Sequence, residues 1–404
     1  MSRAEKLLFV APVLPVDVQA IAKILEDAGL LESLVTRYSP SQSVSALLGS
    51  SSLTRNFSRR PYSPVRRQST LQSLSADLVY YLDRLVGRSR IRATDASFSA
   101  VDRKARARVG KHLAAVLARE DCCERSFQRA KDLDRTTIYL LPTPYWRKVR
   151  ELMRREEQEY PGICAAVADK FETSIDRLER KDRELGLADH VLSPSSFVLA
   201  SLRSALAGHY TVKTIPFGSE KRWSGEQIPE RKSVFLFAGN ITMRKGVHRL
   251  LAAWKKLKAY RTAELRLIGD MFLTQRFLSD FRNVFTYVPR ISRQELRLHY
   301  SEASAFVFNP VADGFGYVIL EAMSNAVPVI ASRNCGAPDV IQNQSEGLLV
   351  EYGSDDQLAT ALDWALSNRS QLAEMGRQAF EKSRCWRWEN YATEFLRWLQ
   401  PIIG

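Results

Sequence analysis

A chain of 404 residues, 45 % apolar and 26 % charged, is too long for one ordinary hydrophobic core and is expected to form two. It holds no apolar run of the ~18 residues that span a bilayer, and its five cysteines, in no metal-binding or redox spacing, point to a reducing cytoplasm. The net charge of +14 is concentrated: Arg55–Lys111 carries fourteen Lys/Arg against four acids, and Ser33–Ala76 carries no acid. Such a stretch suits a polyanionic partner or an anionic membrane surface, or else a solvated face with no partner.

In chain order, Lys6–Ala11 reads as a buried strand. Leu7–Val16 is not expected to be a signal-peptide core, because it lacks a small-residue cleavage site and an amphipathic pattern (Val18, Ile21, Ile24, Leu25) follows at once. Asp17 is expected to cap a helix reaching about Ala28 and closed by Gly29. Ser33–Thr36 follows as a strand. Tyr38–Ser75, rich in Ser, Arg and Pro, reads as a long, mobile loop. The pattern predicts helices over Leu74–Val86 and Val101–Leu117, a strand over Thr136–Leu141, and helices over Tyr145–Tyr160 and Ala165–Leu185. Strands His190–Ser193 and Val212–Ile215 flank a helix Ser195–Leu206. This alternation predicts a parallel, doubly wound sheet.

Pro216–Lys232 reads as a linker. A second series follows, with strands at Val234–Ala238, Leu265–Ile268, Phe285–Val288, Ala305–Phe308 and Val327–Ala331. Gly246–Leu257 is predicted as a helix with Val247, Leu250, Leu251, Trp254 and Leu257 on one face. Capping boxes are expected at Ser292-Arg-Gln-Glu295 and Ser354-Asp-Asp-Gln357. Two such sheets leave a cleft between two sets of strand carboxyl ends, where open α/β sheets bind ligands.

Two constellations could carry chemistry. In Asp313-Gly-Phe-Gly-Tyr-Val-Ile-Leu-Glu321 a buried strand ends in a glycine turn and a helix begins near Gly316. Glycines admit close approach of backbone N–H groups, and a helix start favours a phosphate. Glu321, in the second turn, could accept two hydrogen bonds from ribose hydroxyls, and Asp313 could accept from a sugar. In Gly239-Asn-Ile-Thr-Met-Arg244-Lys245-Gly246 two adjacent cations sit where a strand turns into a helix. Fixed cations can take up the charge left on a departing diphosphate. Each segment also reads as an ordinary strand–turn–helix. A metal-binding acid pair at Asp132-Leu-Asp134 is read instead as surface charge, and no nucleic-acid motif accompanies the basic run.

Taken together, these segments resemble the family 4 retaining glycosyltransferases (glycosyl transferases group 1), in order and spacing from Phe235 to about Leu399. Gly239–Gly246 is similar to the family's strand-Gly-x5-Lys-Gly segment and Asp313–Ala322 to its acid-x7-acid motif. Asn325–Ser332, Gly336-Ala-Pro-Asp339 and the final helix opened by Trp386-Arg-Trp388 follow in family order. In the first half, Leu187–Phe197 and Pro216-Phe-Gly218 resemble the end of the family's first domain, and Leu141-Pro-Thr-Pro-Tyr145-Trp146 a segment of one bacterial branch.

The resemblance implies a GT-B fold, two Rossmann-like doubly wound domains facing each other across a cleft. Residues 1–216 would form the acceptor-side domain, with a basic Ser/Arg-rich segment at about 38–111. Residues 217–387 would form the nucleotide-sugar domain, and 388–404 a helix returning to the first. It implies a hexosyltransferase-like, metal-independent reaction with retention, as in polysaccharide biosynthesis. Arg244 and Lys245 would hold the diphosphate, Glu321 the ribose, and Asp313 with Gly314, Phe315, Gly316, Tyr317 and Val318 the sugar and phosphate. Gly239 and the backbone near Val288 would complete the nucleotide site.

The donor would be a UDP-, GDP-, ADP- or TDP-sugar, with no permanent cofactor or metal and no nucleic acid. The acceptor would be a glycan, a lipid-linked species or a protein. The location would be cytoplasmic, peripheral on the inner face of the membrane. Three departures stand out: Asp313 replaces the usual Glu, Pro12–Asp17 lacks the family's paired glycines, and Leu140-Leu141-Pro142 lacks the usual His. They motivate an alternative, a catalytically weak GT-B protein that binds nucleotide sugars or glycans as a platform.

Overall fold

The computed structural model describes residues 6–37, 65, 70–85, 90–164, 174–205, 209–220 and 233–404. Most of the expected Tyr38–Ser75 loop, the start of the expected Ala165–Leu185 helix and most of the linker lie outside them.

The first sheet holds β1 (Leu7–Val10), β2 (Leu31–Arg37), β3 (Thr70–Ser73), β4 (Ala115–Arg119), β5 (Thr136–Leu140), β6 (His190–Ser193) and β7 (Thr211–Thr214). Their order is β3-β2-β1-β4-β5-β6-β7, and every pairing is parallel. The second sheet holds β8 (Val234–Ala238), β9 (Glu264–Ile268), β10 (Thr286–Val288), β11 (Ala305–Phe308), β12 (Val329–Ser332) and β13 (Gly347–Val350), in the order β10-β9-β8-β11-β12-β13, again parallel. Each sheet reverses its winding once, between β1 and β4 and between β8 and β11. Such switch points open crevices at the strand carboxyl ends.

The helices that bear on the site are α1 (Val16–Asp27), α2 (Leu74–Leu85), α3 (Arg90–Arg106), α4 (Glu124–Lys131), α5 (Trp146–Glu159), α6 (Ile175–Gly186), α7 (Ser196–Ser201), α8 (Val247–Lys256), α9 (Gln275–Leu278), α10 (Arg293–Glu302) and α11 (Tyr317–Met323). The chain closes with α12 (Ala337–Val340), α13 (Asp355–Ser367), α14 (Arg369–Ser383) and α15 (Trp388–Ile403). Among the described residues no helix is long and apolar enough to cross a membrane.

The helix expected over Val101–Leu117 is corrected: α3 ends at Arg106, and Ala115–Arg119 is the central strand β4. A short, continuous apolar run carries no period that separates a buried parallel strand from a helix. The short strands β3 and β13 and the helix α4 were not expected. Asp17 is not a cap: Pro15 holds that position and Asp17 is buried in the first turn. The Ser292–Glu295 capping box is formed in both directions. At Ser354 only half forms, because the Gln357 side chain accepts from Glu351 N instead.

One buried apolar cluster runs from β1 and α1 through Phe217 into the second sheet. Phe217 lies parallel to the Tyr317 ring at 5.0 Å and near Trp388 and Tyr391 of α15. From there α15 crosses to the first sheet, where Glu394 pairs with Lys213 at 2.7 Å and Trp398 meets His190 edge-on.

Candidate active site

The second sheet's switch point brings two loops together. After β8 the chain turns through Arg244-Lys245-Gly246 into α8, and Gly246 accepts this turn at φ +70°. A β-carbon there would stand 1.6 Å from the Asn309 carbonyl oxygen, so only glycine lets the α8 start rest on the end of β11. Arg244 Nε donates to Ala312 O at 3.0 Å, and Val311 N donates to Arg244 O at 2.9 Å. The two loops are stitched edge to edge.

Lys245 Nζ forms an ion pair with Asp313 and sits 5.3 Å from the Phe308 ring centroid. Desolvation, and then the neighbouring Arg244 charge, push the Lys245 ammonium down to about 7. The Asp313 carboxylate in contact opposes that push. Two cations crowded at one strand end call for a nearby anion, and Asp313 supplies one to Lys245 from the facing loop. Asp313 N donates to Asn334 O, and Asp313 Oδ1 accepts from Phe315 N at 3.3 Å.

Gly316 precedes α11 at φ +82°. Tyr317 begins the helix, Val318 is half-buried, and Phe315 is buried against Gly336. Glu321, one turn on, accepts from Tyr300 at 3.5 Å and lines a narrow cleft with Val16, Ser219, Arg293, Tyr317 and Trp388. Gly239 N donates to Ile268 O and Gly269 N to Val288 O, so Gly239 and Val288 lie at adjoining strand ends of the same sheet. The residues named from the sequence therefore line one edge of the second sheet. Lys245 meets Asp313 and Arg244 meets the adjacent Ala312 carbonyl, while Glu321 and Val288 lie to either side.

The first domain reaches this edge at places the sequence did not reveal. Ser195 caps α7, accepting from Val198 N, and its hydroxyl also donates to Gly314 O at 2.5 Å. Ser196 N donates to the Asp339 carboxylate at 3.0 Å. Gly314 packs so closely on Pro142 and Thr143 that a β-carbon would stand 1.8 Å from Pro142 O. Thr143 in turn donates to Glu120, whose other oxygen pairs with Lys181 at 2.8 Å. The cap at Ser195 is legible in sequence, but its partner across the cleft is not.

A second cross-domain cluster joins Asp17, Tyr317 and Tyr391. Asp17 Oδ2 and both phenol hydroxyls are buried without a hydrogen-bond partner among the described residues. Burial, and then the Asp17 charge, push both phenols well above their ordinary range. A buried carboxylate thus stands in the first turn of α1, against the second domain and the final helix.

Residues 220–382 match the family model described as glycosyl transferases group 1. The sulfoquinovosyl transferase SQD2 of Arabidopsis thaliana is 29 % identical over 171 residues, 40 % of this chain and 32 % of that protein. A GDP-mannose-dependent monoacylated alpha-(1-6)-phosphatidylinositol monomannoside mannosyltransferase of Corynebacterium glutamicum is 28 % identical over 239 residues, 51 % of this chain and 61 % of that protein. The matched regions span less than two thirds of these curated relatives.

Among solved structures, a sucrose-phosphate synthase from Thermosynechococcus elongatus superposes with a TM-score of 0.68 at 18 % identity, covering 98 % of this chain and 99 % of that one. HepE of Anabaena, in complex with UDP and glucose, superposes at 0.62 and 13 % identity, covering 98 % and 100 %. Residues 220–382 are thus similar to the glycosyl transferases group 1, and they lie within a two-domain GT-B fold.

Proposed function

We propose that this protein is a glycosyltransferase that moves a sugar from a nucleotide-diphosphate sugar, held by the second domain, to an acceptor in the interdomain cleft, with retention of configuration. The observation that carries the reading is the convergence of Arg244, Lys245 and Asp313 at the switch point between β8 and β11. In the proposed reaction the bond from the anomeric carbon to the β-phosphate oxygen breaks, a bond from that carbon to the acceptor hydroxyl oxygen forms on the same face, and the acceptor's proton passes to the leaving phosphate. Charge grows on the phosphate oxygen, and Arg244 and Lys245 stabilise it in place without reorganisation. Asp313, released from Lys245 by the diphosphate, accepts from the sugar. Glu321 accepts from the ribose hydroxyls, and the strand ends at Gly239 and Val288 flank the base.

A panel of UDP-, GDP-, ADP- and TDP-sugars in thermal shift tests this reading. A ligand at a hundred times its Kd stabilises a fold by about 2.7 kcal/mol, so the true donor class is expected to stand out from the rest. No shift with any member would remove the donor assignment. A shift without hydrolysis or transfer would favour the platform reading, which the buried Asp17 and the absent His after β5 recommend.

The proposed acceptors are glycans, lipid-linked sugars or proteins, with the enzyme resting on an anionic membrane face through its first domain. Within the described part of Arg55–Lys111, α2 exposes Leu78 (60 %) and Leu82 (50 %) one helical turn apart. Arg92, Arg103, Arg106, Arg108 and Lys111 are exposed on and after α3. Apolar contact and basic charge together hold a surface helix on anionic lipid. Neutralising Arg59, Arg60, Arg66 and Arg67, which lie outside the described residues, is expected to weaken cosedimentation with phosphatidylserine vesicles. Absence of vesicle binding by the parent protein would remove the membrane reading.

A further inference from the structure

The contact between α5 and α8 joins the domains far from the linker. Glu156, near the end of α5 in the first domain, is fully buried, and so is His248 of α8. Four side-chain donors from the second domain converge on that one carboxylate. His248 Nε2 lies 2.5 Å away, Arg249 approaches through Nε and a terminal nitrogen at 3.0 Å, and the Tyr352 hydroxyl donates at 2.6 Å. Arg249 also pairs with Glu159 of α5 and with Asp355 at 3.0 Å. The Tyr160 ring meets His248 edge-on, and the Arg249 guanidinium lies 5.0 Å from its centroid. Beyond α5 the chain stays on the second domain, where Thr274 N donates to Ile163 O at 2.8 Å.

His248 and Arg249 stand three and four residues after Lys245, in the first turn of α8. Between them lies Gly246, seated on the Asn309 carbonyl. The turn that presents Arg244 and Lys245 is therefore held on one side by Val311 and Ala312 and on the other by a first-domain carboxylate. A buried carboxylate that gathers a guanidinium, an imidazole and a phenol is hard to replace, because its loss leaves His248 Nε2 and the Tyr352 hydroxyl desolvated without their acceptor and leaves Arg249 with only Glu159 and Asp355. The start of α8, freed from that anchor, can shift, and a shift of about 1 Å at a reacting group lowers rates as much as a hundredfold.

We propose that Glu156 is a positioning residue that sets the first turn of α8 from across the domain boundary, so that anion binding by Arg244 and Lys245 depends on a side chain of the other domain. The donor part of this inference rests on the function proposed above, while the mechanical part does not. Two readouts separate them: calorimetric titration with UDP, GDP, ADP and TDP, and hydrogen exchange over residues 244–251, both well below the unfolding temperature.

Glu156→Gln keeps the shape and removes the charge. It is expected to weaken the preferred nucleoside diphosphate at least tenfold and to speed exchange over 244–251. Tyr352→Phe removes one hydrogen bond and is expected to move both readouts in the same direction, by about threefold. Unchanged affinity and unchanged exchange in a folded Glu156→Gln protein, even with a lowered Tm, would leave Glu156 a merely structural ion pair and overturn the proposal. Should Glu156→Gln not fold, unchanged readouts in Tyr352→Phe would overturn it equally. If the parent binds none of the four diphosphates, the donor reading falls and the exchange arm alone decides the mechanical coupling.

Discussion

Lys245→Ala is expected to reduce sugar transfer by about a thousandfold or more while leaving the circular dichroism spectrum unchanged. Removing one preorganised group that stabilises developing charge lowers rates by about 10²–10³-fold, and a full positive charge beside the leaving phosphate stands at the upper end of that range. The fold should survive, because Lys245 and Asp313 are only half-buried and Asp313 keeps its contact with Phe315 N. Glu321→Ala is expected to remove transfer as well, through lost grip on the ribose, with α11 still packed through Ile319, Leu320, Ala322 and Met323. Normal turnover in both variants would sink the site assignment.

The same lysine sets a pH dependence. Desolvation and the Arg244 charge push its ammonium down to about 7, below the ordinary lysine range, and a bound diphosphate favours the charged form. Below pH 7 the ammonium is already charged and affinity should be flat. Above pH 7 binding must take up a proton, so affinity should fall with rising pH. Calorimetry in two buffers of different ionisation enthalpy at pH 8 should show that uptake, and no buffer dependence would contradict the assignment.

The second domain was legible in sequence because its function is written in local signals. β8, β9 and β11 run into glycine turns, and α8 shows its apolar face at helical spacing. Arg244, Lys245 and Asp313 all fall at strand ends, where a strand–turn–helix reading can place them. The first domain was harder. Ala115–Arg119 reads as helix or strand with equal ease, and only pairing with β1 and β5 decides it. The return of the final helix was expected, but the cross-domain contacts of Glu156 and Ser195 were not legible. Glu156 lies in a run of charges on a helix that would ordinarily face solvent. Its burial depends on where α8 arrives, which no local pattern encodes. Asp17 has the residue type and place of a helix cap, but Pro15 starts the helix and turns Asp17 inward toward Tyr317 and Tyr391.

Gly314→Ala is the sharpest test of whether the closed arrangement is the working one. Gly314 shows no positive φ, so alanine introduces no backbone strain there. Its added methyl would instead stand 1.8 Å from Pro142 O and 3.2 Å from Thr143 Cα, both on the other domain and both backbone. Neither atom can swing aside as a side-chain tip could. The second domain should therefore fold and bind nucleoside diphosphate within about threefold of the parent, because Arg244, Lys245 and Glu321 are untouched. Closure onto the Pro142–Thr143 loop should fail, and with it the exclusion of water and the alignment of acceptor and donor. A loss of turnover of about a hundredfold is expected, together with a larger radius of gyration in small-angle scattering. Ser195→Ala, which removes the hydroxyl that holds Gly314 O, should give a smaller loss in the same direction. Full turnover in Gly314→Ala would mean that catalysis proceeds with the domains further apart than they stand here, and that the close contact between the Gly314 turn and Pro142 has no part in the reaction.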